Sequence, residues 1–390
     1  MRIVYLANVD WFFVSHFLHL AQRARQQGWE VAIAANMGAA RQRLIDEGFD
    51  VIDLPVRRGG VLPLGLFGAA GIVAKNLQRS PDTILHGFGL FGILVGTVAG
   101  LRSGVRKRVF TITGRGYSAV SQSLSAKLIR LVSGLFCSSI ADSSSTRWFA
   151  ENKADLFSCR LNAAMAEGRT AVAGGAGVDL QVLDATPLPL SPPLKCALVA
   201  RMIWSKGVDV AVAAVGLARA RGLDVELSLA GPLDPDNPRS LTPDDMRQFT
   251  SQPGVRWLGR IADINGFWAT QHIAVLPSRG GEGIPKALIE AAACGRPVLT
   301  TDVPGCREFA VATDGWCVPP DDAQALAAAL LAIAATKDLS QRGAAARSAV
   351  AANYTQDKLW ELSQRFYSEL SGVQAQSSDH VERSGHETRG

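Results

Sequence analysis

Two carboxylates and two cations in the second half of the chain have types and spacing that suit a ligand carrying both hydroxyl groups and phosphate. Glu282 and Glu290 lie eight residues apart, across a glycine-rich segment and a helical pattern that begins near Pro285. Eight residues make about two helical turns, so both carboxylates fall on nearly the same face. Carboxylates accept hydrogen bonds from hydroxyl groups, whereas Arg201 and Lys206 would offset the charge of a phosphate.

The glycine-rich segment itself could hold a phosphate through its backbone. It follows an apolar run at residues 273–276, and ligands of open α/β sheets bind beyond the carboxyl ends of the strands. The N–H groups of Gly281, Gly283 and Ile284 would then meet an anion at the start of a helix. Taken singly, Glu282 could instead cap the helix, and Glu290 could be an ordinary solvated residue.

The elements that must position these groups follow an alternating pattern. Short apolar runs are separated by longer amphipathic segments, as in a parallel sheet with crossover helices. A proline cluster at residues 187–193 interrupts the pattern, because proline sustains neither a helix nor a central strand. A chain of 390 residues also exceeds the size of one ordinary core. We therefore predict an α/β fold of two facing Rossmann-like, doubly wound domains with a cleft between them.

The predicted boundaries follow from the same pattern. The N-terminal domain takes residues 1–186, the linker residues 187–193 and the C-terminal domain residues 194–353. An amphipathic helix over residues 354–370 is expected to cross back to the first domain, and the polar residues 371–390 are expected to form a disordered tail. Strands are predicted at residues 3–7, 31–35, 51–54, 83–86, 109–112 and 139–142, with a helix at 15–27, and at 196–200, 225–230, 255–258, 273–276, 297–301 and 315–318.

The segment with both glutamates resembles the E-x7-E motif of the family 4 glycosyltransferases, which have the GT-B architecture. The similarity extends through the glycine-rich loop to Gly295-Arg-Pro-Val and the closing Gly305-x-x-Glu308. Leu198-Val-Ala-Arg-Met-Ile-Trp-Ser-Lys-Gly207 matches a second part of the family pattern. The resemblance implies a retaining, metal-independent transfer of a sugar from a nucleotide diphosphate. It also implies that the second domain binds the donor and the first domain binds the acceptor.

The resemblance implies which residues bind the donor. Arg201 and Lys206 match the cations that hold the diphosphate in these enzymes. Glu282 would contact the transferred sugar and Glu290 the ribose, and no enzymic nucleophile is implied. Glu282, Arg201 and Lys206 are therefore the expected catalytic residues. The expected donor-binding set, in which the final two residues would contact the base, is Arg201, Lys206, Gly281, Glu282, Gly283, Ile284, Pro285, Glu290, Arg260 and Ile261.

Four residues of the first domain match family positions on the acceptor side: His16, His86, Thr113 and Arg115. His16 follows the first strand, and the alternative is a helix-start histidine without a chemical role. Thr113 stands where many relatives have a histidine, so the chain departs from the family pattern there. Some relatives with a glycine-rich loop at this position use lipid-linked acceptors. We therefore expect a glycan or a polyprenyl-diphosphate-linked glycan as the acceptor.

Positive charge is concentrated in the first half. Residues 1–190 hold 20 Lys and Arg against 13 Asp and Glu, whereas residues 191–390 hold 20 against 22. This asymmetry favours an anionic partner, and nucleic acid is not expected because no nucleic-acid-binding motif appears. The basic run at residues 102–108 and the apolar segment at 61–74 predict reversible docking at the inner face of the cytoplasmic membrane. The alternative is a solvated basic loop beside a buried helix, with a soluble acceptor.

The remaining composition restricts the class of function. Six scattered cysteines form no C-x-x-C pair, which favours reduced thiols in the cytoplasm. We expect no signal peptide and no stretch long enough to cross a bilayer. A nicotinamide-binding oxidoreductase is a further rival, but no G-x-G-x-x-G follows the first strand, so the fingerprint of that class is missing. No cofactor is expected, and the donor substrate would be a UDP- or GDP-linked sugar. A sugar-nucleotide epimerase on the same fold and a non-catalytic partner subunit are the alternatives.

Overall fold

The computed structural model describes residues 1–56, 63–80, 82–114 and 123–372. Within these ranges the chain forms two parallel β-sheets, each flanked by helices. Parallel strands need long crossover connections, which here are mostly helical, and this arrangement buries both faces of each sheet. The predicted fold class, two doubly wound α/β units, is confirmed.

The first sheet is formed by β1 (Arg2–Val9), β2 (Glu30–Asn36), β3 (Asp50–Asp53), β4 (Thr83–Phe88), β5 (Arg108–Ile112), β6 (Thr146–Ala150) and β7 (Thr170–Val172). Its described strands are ordered β3-β2-β1-β4-β5-β6-β7. The order reverses between β1 and β4, the kind of position where doubly wound sheets bind ligands. The described helices of this domain are α1 (Asp10–His16), α2 (Leu18–Gln26), α3 (Arg41–Asp46), α4 (Pro63–Leu77), α5 (Gly89–Ser103), α6 (Leu124–Phe136), α7 (Lys153–Ser158) and α8 (Asn162–Ala166).

The second sheet is formed by β8 (Leu194–Val199), β9 (Val225–Ala230), β10 (Val255–Trp257), β11 (Ile273–Leu276), β12 (Val298–Thr301) and β13 (Trp316–Val318). Its strands are ordered β10-β9-β8-β11-β12-β13, so the order reverses between β8 and β11. Residues 187–193 join the two domains and contain neither helix nor strand. The helices are α9 (Val208–Ala220), α10 (Pro243–Thr250), α11 (Ile264–Ala269), α12 (Lys286–Ala293), α13 (Cys306–Ala312), α14 (Ala323–Ala335), α15 (Leu339–Asn353) and α16 (Gln356–Ser371).

The last helix, α16, returns to the first domain. Phe366 and Tyr367 are fully buried in the same apolar cluster as Tyr5 of β1. The Tyr367 hydroxyl also lies 2.6 Å from Nδ1 of His86 in β4. The first strand and the last described helix therefore pack in the same core. Of the predicted tail, residues 373–390 lie outside the described residues.

Two predicted elements are wrong. The strand expected at residues 139–142 is a π-helical turn, Cys137–Ala141, that continues α6. The strand that enters the sheet is β6, where Trp148 and Phe149 are fully buried. A short apolar run such as Ser-Ser-Ile-Ala fits either element, and the length of the preceding helix decided the outcome. The single helix expected at 15–27 is divided into α1 and α2, because Phe17 has a non-helical φ of −131°.

The two elements expected to dock on a membrane instead make contacts within the first domain. The second half of α4 packs into the core, where Val73 is fully buried, and residues 61–62 lie outside the described residues. In the basic run, Lys107 is paired with Asp82 at 3.1 Å and Arg108 is buried. This corrects the prediction that the apolar segment at 61–74 and the whole basic run form the docking surface.

A different segment has the length and apolar character of a membrane-crossing helix. It combines α6 with the π-helical turn, covers residues 124–141 and has a mean hydropathy of 1.4. Only 22% of it is buried. The expectation that no stretch reaches this length is therefore wrong.

Candidate active site

Two adjoining cavities open at the carboxyl ends of β8 and β11, where the strand order of the second sheet reverses. The first cavity has a volume of about 350 Å³ and lies in the second domain. The second cavity, of about 380 Å³, lies between the two domains. Both cavities are lined by Arg201, Lys206, Gly281 and Glu282. The three residues predicted to be catalytic thus lie in the wall that the cavities share.

Two loops approach each other closely to form this shared wall. Lys206 ends a 3-10 turn after β8, and Glu282 lies in the glycine-rich loop between β11 and α12. Gly207 has a φ of +69°, and a Cβ atom there would lie 1.9 Å from the carbonyl oxygen of Pro277, so this contact requires glycine. Nζ of Lys206 donates a hydrogen bond to Oε1 of Glu282 at 2.6 Å. The Ser278 hydroxyl donates to the same oxygen at 3.1 Å.

The first cavity is strongly cationic. Four cations and one carboxylate are among its lining residues: Arg201, Lys206, Arg239, Arg279 and Glu282. Guanidinium and ammonium groups converging on one pocket suit a ligand with several phosphate oxygens. The cavity therefore has the charge expected of a diphosphate site.

Two of these guanidinium groups are held in place by carboxylates. Arg201 forms an ion pair with Asp234 and lies 5.8 Å from the centroid of the Trp11 ring in the first domain. Arg279 donates two hydrogen bonds to Asp209, at 2.7 and 2.9 Å. The cations are thus oriented before a ligand arrives, which reduces the reorganisation that binding would require.

The glycine-rich loop offers further donors. Within the described residues, the N–H groups of Gly281, Glu282 and Gly283 make no hydrogen bond. They precede α12, which begins at Lys286. Backbone N–H groups at the start of a helix are favourable partners for anions and hydroxyl oxygens.

Glu151 is a candidate that the sequence analysis missed. It follows β6 directly, lines the second cavity and is 7% exposed. Its Oε2 accepts a hydrogen bond from the N–H of Ile284 at 2.6 Å, so the first domain holds the glycine-rich loop of the second. A Cβ atom at Gly283 would lie 1.7 Å from this oxygen. Burial raises the pKa of the Glu151 carboxyl group to about 8, and the carboxylates of Asp155 and Glu282 act in the same direction.

The misplaced strand explains why Glu151 was overlooked. With a strand at residues 139–142, Glu151 appears to lie in a connecting segment. With the strand at its observed place, Glu151 is the polar residue at a strand's carboxyl end. That is the signal that singled out His16 and His86, so correct placement of β6 would have found it.

His16 and Thr113 are two of the first-domain residues that line the second cavity. Nδ1 of His16 lies 2.5 Å from the Ser15 hydroxyl and 3.1 Å from the carbonyl oxygen of Phe12. Burial lowers the pKa of His16 to about 3, assisted by the nearby cation of Lys286. The imidazole is therefore neutral at neutral pH and can exchange hydrogen bonds with a hydroxyl group in the cavity.

Two family models match the chain. One is described as "Glycosyl transferase 4-like" and matches residues 2–139; the other is described as "Glycosyl transferases group 1" and matches residues 193–336. The first model therefore matches within the domain of the first sheet, and the second matches within the domain of the second sheet. The second match contains the residues of the shared wall. The chain belongs to the family 4 glycosyltransferases.

Individual relatives of this glycosyltransferase agree with that assignment. It is 24% identical over 332 residues to the N,N'-diacetylbacillosaminyl-diphospho-undecaprenol alpha-1,3-N-acetylgalactosaminyltransferase of Campylobacter jejuni, covering 79% of this chain and 82% of the relative. It is 34% identical over 144 residues to the putative colanic acid biosynthesis glycosyltransferase WcaL of Salmonella typhimurium, but this match spans 35% of each chain. The relatives include glycosyltransferases of exopolysaccharide and capsule biosynthesis.

The GT-B fold of the glycosyltransferase is shared with solved structures. The structure of Anabaena HepE in complex with UDP and glucose superposes with a TM-score of 0.74 at 16% identity, covering 95% of this chain and all of that one. WaaG, a glycosyltransferase of lipopolysaccharide biosynthesis, superposes with a TM-score of 0.63 at 16% identity, covering 95% of this chain and all of WaaG. At these identities the similarity establishes the fold alone.

The glycosyltransferase does not bring His86 to the cleft, which corrects that prediction. His86 is 1% exposed and lies within the first core. Its Nδ1 lies 2.6 Å from the Tyr367 hydroxyl and its Nε2 lies 2.7 Å from Oγ1 of Thr111. Both ring nitrogens are occupied, and burial lowers its pKa to about 3. β4 continues past it to Phe88, so His86 serves the packing of α16 rather than the acceptor.

Three predicted donor-site residues are not among the lining residues of the two cavities, and their contacts with the ribose and the base stay predictions. In the described part of the chain, Glu290, Arg260 and Ile261 do not line either of them. The Glu290 carboxylate instead lies 3.2 Å from Nζ of Lys286, one helical turn earlier. Gly283, Ile284 and Pro285 do line the second cavity, whereas Arg115 lies outside the described residues.

Proposed function

We propose that this glycosyltransferase moves a hexosyl or N-acetylhexosaminyl group from a UDP- or GDP-linked donor to a glycan or polyprenyl-diphosphate-linked glycan, with retention of anomeric configuration. The observation that carries the proposal is the pair of adjoining cavities with Arg201, Lys206 and Glu282 in their shared wall. The cationic cavity suits the nucleoside diphosphate. The cavity between the domains suits the transferred sugar and the acceptor hydroxyl.

The proposed chemistry uses positioned charges rather than a covalent intermediate. The bond between the sugar's anomeric carbon and the diphosphate oxygen breaks, and the acceptor oxygen bonds to that carbon on the same face. Lys206, Arg201 and the loop N–H groups offset the charge that develops on the diphosphate. The departing phosphate oxygen takes the acceptor proton. Glu282, held by Lys206 and Ser278, can accept a hydrogen bond from a sugar hydroxyl.

The nucleotide and acceptor classes rest on relatives. HepE was solved with UDP and glucose, and the name of the Campylobacter relative specifies an undecaprenol-diphosphate-linked saccharide. The proposed place of action is the cytoplasm, at the inner face of the cytoplasmic membrane, in surface polysaccharide assembly. The glycine-rich loop and the cationic cavity support a nucleotide-linked donor.

The direct test is turnover with a panel of nucleotide sugars and short prenyl-diphosphate-linked saccharides in detergent. We expect release of nucleoside diphosphate coupled to a product whose anomeric configuration, read by proton NMR, equals that of the donor. Interconversion of the nucleotide sugar without this release would identify the epimerase alternative. Donor binding without turnover of any acceptor would identify the non-catalytic subunit.

Activity is expected to survive thorough chelation, because the fixed cations of the shared wall take the role that a divalent ion could fill. The chain does contain one D-x-D pair, Asp234 and Asp236. Asp234, however, is engaged by Arg201. The measurement is the initial rate after EDTA treatment, with a parallel sample given excess magnesium or manganese. Loss of activity with EDTA and its return with either metal would contradict metal independence.

A further inference from the structure

Among the described residues of the first domain, large exposed apolar side chains are concentrated on α6. Leu124, Leu128, Leu131, Val132, Leu135 and Ile140 are between 43% and 83% exposed. Four of them, at positions 124, 128, 131 and 135, are spaced three or four residues apart and form one stripe along the helix. This stripe with its two neighbours is called the α6 face below. Such a contiguous set of large apolar side chains marks an interaction site.

The polarity of α6 is the reverse of an ordinary surface helix. Its inward side carries small residues, with Ala126 and Gly134 buried against the domain. Gly134 lies so close to α7 that a Cβ atom there would be 2.9 Å from the carbonyl oxygen of Ser158. The leucines point outward, whereas a soluble helix buries its bulky apolar residues. The large apolar side chains of α6 therefore lie on a surface that the described chain does not cover.

The chain segment that contains α6 carries charges of one sign. Residues 83–141 contain seven Lys and Arg and no Asp or Glu. Two of these cations, Lys127 and Arg130, are on α6 itself and lie to one side of the leucine stripe. An aliphatic surface flanked by cations is the composition of helices that lie in the interface of an anionic membrane. A protein partner would favour aromatic groups at such a surface, and no Tyr or Trp occurs in residues 123–141.

The topology decides how α6 could meet a bilayer. The helix belongs to the crossover between β5 and β6, which are parallel neighbours in the first sheet. Both ends of α6 are tied to one sheet, so the helix cannot thread through a membrane. Its topology excludes a crossing rather than its length, because with the π-helical turn it has 18 residues and spans about 27 Å, close to the roughly 30 Å of the hydrocarbon layer. It can lie flat, with its outward face among the lipid head groups and upper acyl chains.

We propose that the α6 face docks this enzyme on an anionic lipid bilayer and thereby presents its cleft to a membrane-bound acceptor. The inference rests on the proposed function. The crossover that contains α6 begins at the carboxyl end of β5, next to Thr113, and returns to β6, which precedes Glu151. Both of these residues line the second cavity. Docking through this crossover holds the acceptor side of the cleft near the membrane surface.

The test is flotation of the purified full chain with vesicles of equimolar phosphatidylcholine and phosphatidylglycerol. The wild type is expected to float at low salt. The triple variant Leu128→Gln, Leu131→Gln, Leu135→Gln keeps a good helix former at each position and should bind at least tenfold less. The matched control, Val182→Gln, Leu190→Gln, Val311→Gln, removes three apolar residues that are exposed elsewhere, and it should float like the wild type. Pure phosphatidylcholine vesicles should bind the wild type several-fold less.

Any of four outcomes would overturn the proposal. In the first three, the wild type does not float at low salt, the α6 variant floats as well as the wild type, or flotation is lost with Arg102→Gln and Arg106→Gln in the basic run instead. A dimer in solution that the α6 variant converts to a monomer, without vesicle binding, would assign the α6 face to a second copy and also overturn it. Transfer measured in detergent separates this from the proposed function. The α6 variant should retain that transfer, which also shows that it is folded.

Discussion

Replacement of Lys206 by alanine is expected to lower kcat/KM for the nucleotide-sugar donor by about 10²- to 10³-fold, the usual cost of removing a charged group that stabilises a transition state. Lys206 is 15% exposed, lies in the wall shared by the two cavities and also holds Glu282. The Arg201→Ala variant should lose at least tenfold, because Arg201 lines the same two cavities but is partly neutralised by Asp234. Steady-state kinetics with varied donor measure both effects.

The control for Lys206 removes the same charge elsewhere. Lys358, in α16, forms an exposed ion pair with Glu361 at 2.9 Å and lines neither cavity. The Lys358→Ala variant should therefore keep wild-type kinetics. Lys206→Arg retains the cation and should recover part of the loss. Near-normal turnover in both Lys206→Ala and Arg201→Ala would remove these residues from the reaction. Loss of the folded state in Lys206→Ala, visible by circular dichroism, would redirect the test to Lys206→Arg.

The donor half of the site could be predicted from the sequence because local features determine it. The loop from Gly281 to Ile284 lies between one strand and one helix, so its place at a strand's carboxyl end follows from the order of elements alone. Lys206 lies at the corresponding end of the neighbouring strand. Adjacent parallel strands bring such loops together whatever the details of the packing, which is why Lys206 and Glu282 meet as expected.

Contacts between distant parts of the chain were harder to predict. His86 was expected at the end of a strand, but β4 continues to Phe88, and α16 covers His86 from 281 positions along the chain. Glu151 meets Ile284 across the two domains. Periodicity indicates which face of an element is apolar, but it does not indicate which later element will cover that face.

Surface features were mispredicted for a related reason. The apolar run at residues 61–74 and the segment at 124–141 are both rich in aliphatic residues, and only the fold shows that α4 is packed against α5 while the outward face of α6 is not covered by the described chain. Hydropathy reflects the free energy of moving a side chain out of water, and it does not tell whether the new surroundings are protein or lipid. A buried core helix and a membrane-facing helix therefore look alike until the neighbours of each are known.

The other large expected effect concerns stability. Glu151→Gln should make the free energy of unfolding less dependent on pH than in the wild type. The wild-type carboxyl group has a pKa of about 8 in the folded state, against roughly 4.3 when unfolded. Between these values the folded chain holds a proton that the unfolded chain has released, so wild-type stability falls as pH rises through this window. The full shift corresponds to about 5 kcal/mol as an upper limit, and glutamine cannot ionise.

The measurement is chemical denaturation of the wild type and of Glu151→Gln between pH 5 and about 8.5. The two proteins should be of similar stability near pH 5, and the variant should be more stable at the alkaline end. The histidines His16, His19 and His86, whose pKa values are lowered by desolvation, destabilise the fold as pH falls below about 6.5. They do so equally in both proteins, so the difference between the two curves isolates Glu151. Glu361→Gln, on the exposed face of α16, is the matched control and should leave the pH dependence unchanged.

The same substitutions show what Glu151 does for the loop. Glutamine keeps an oxygen that can accept the hydrogen bond from Ile284, whereas Glu151→Ala removes it and leaves a buried N–H group without its partner. We therefore expect donor KM to be near normal in Glu151→Gln and raised about tenfold in Glu151→Ala. Parallel pH curves for wild type and Glu151→Gln would mean that the carboxyl group is ionised in the folded state. Equal donor KM in all three proteins would mean that the contact between the domains does not hold the loop in its binding position.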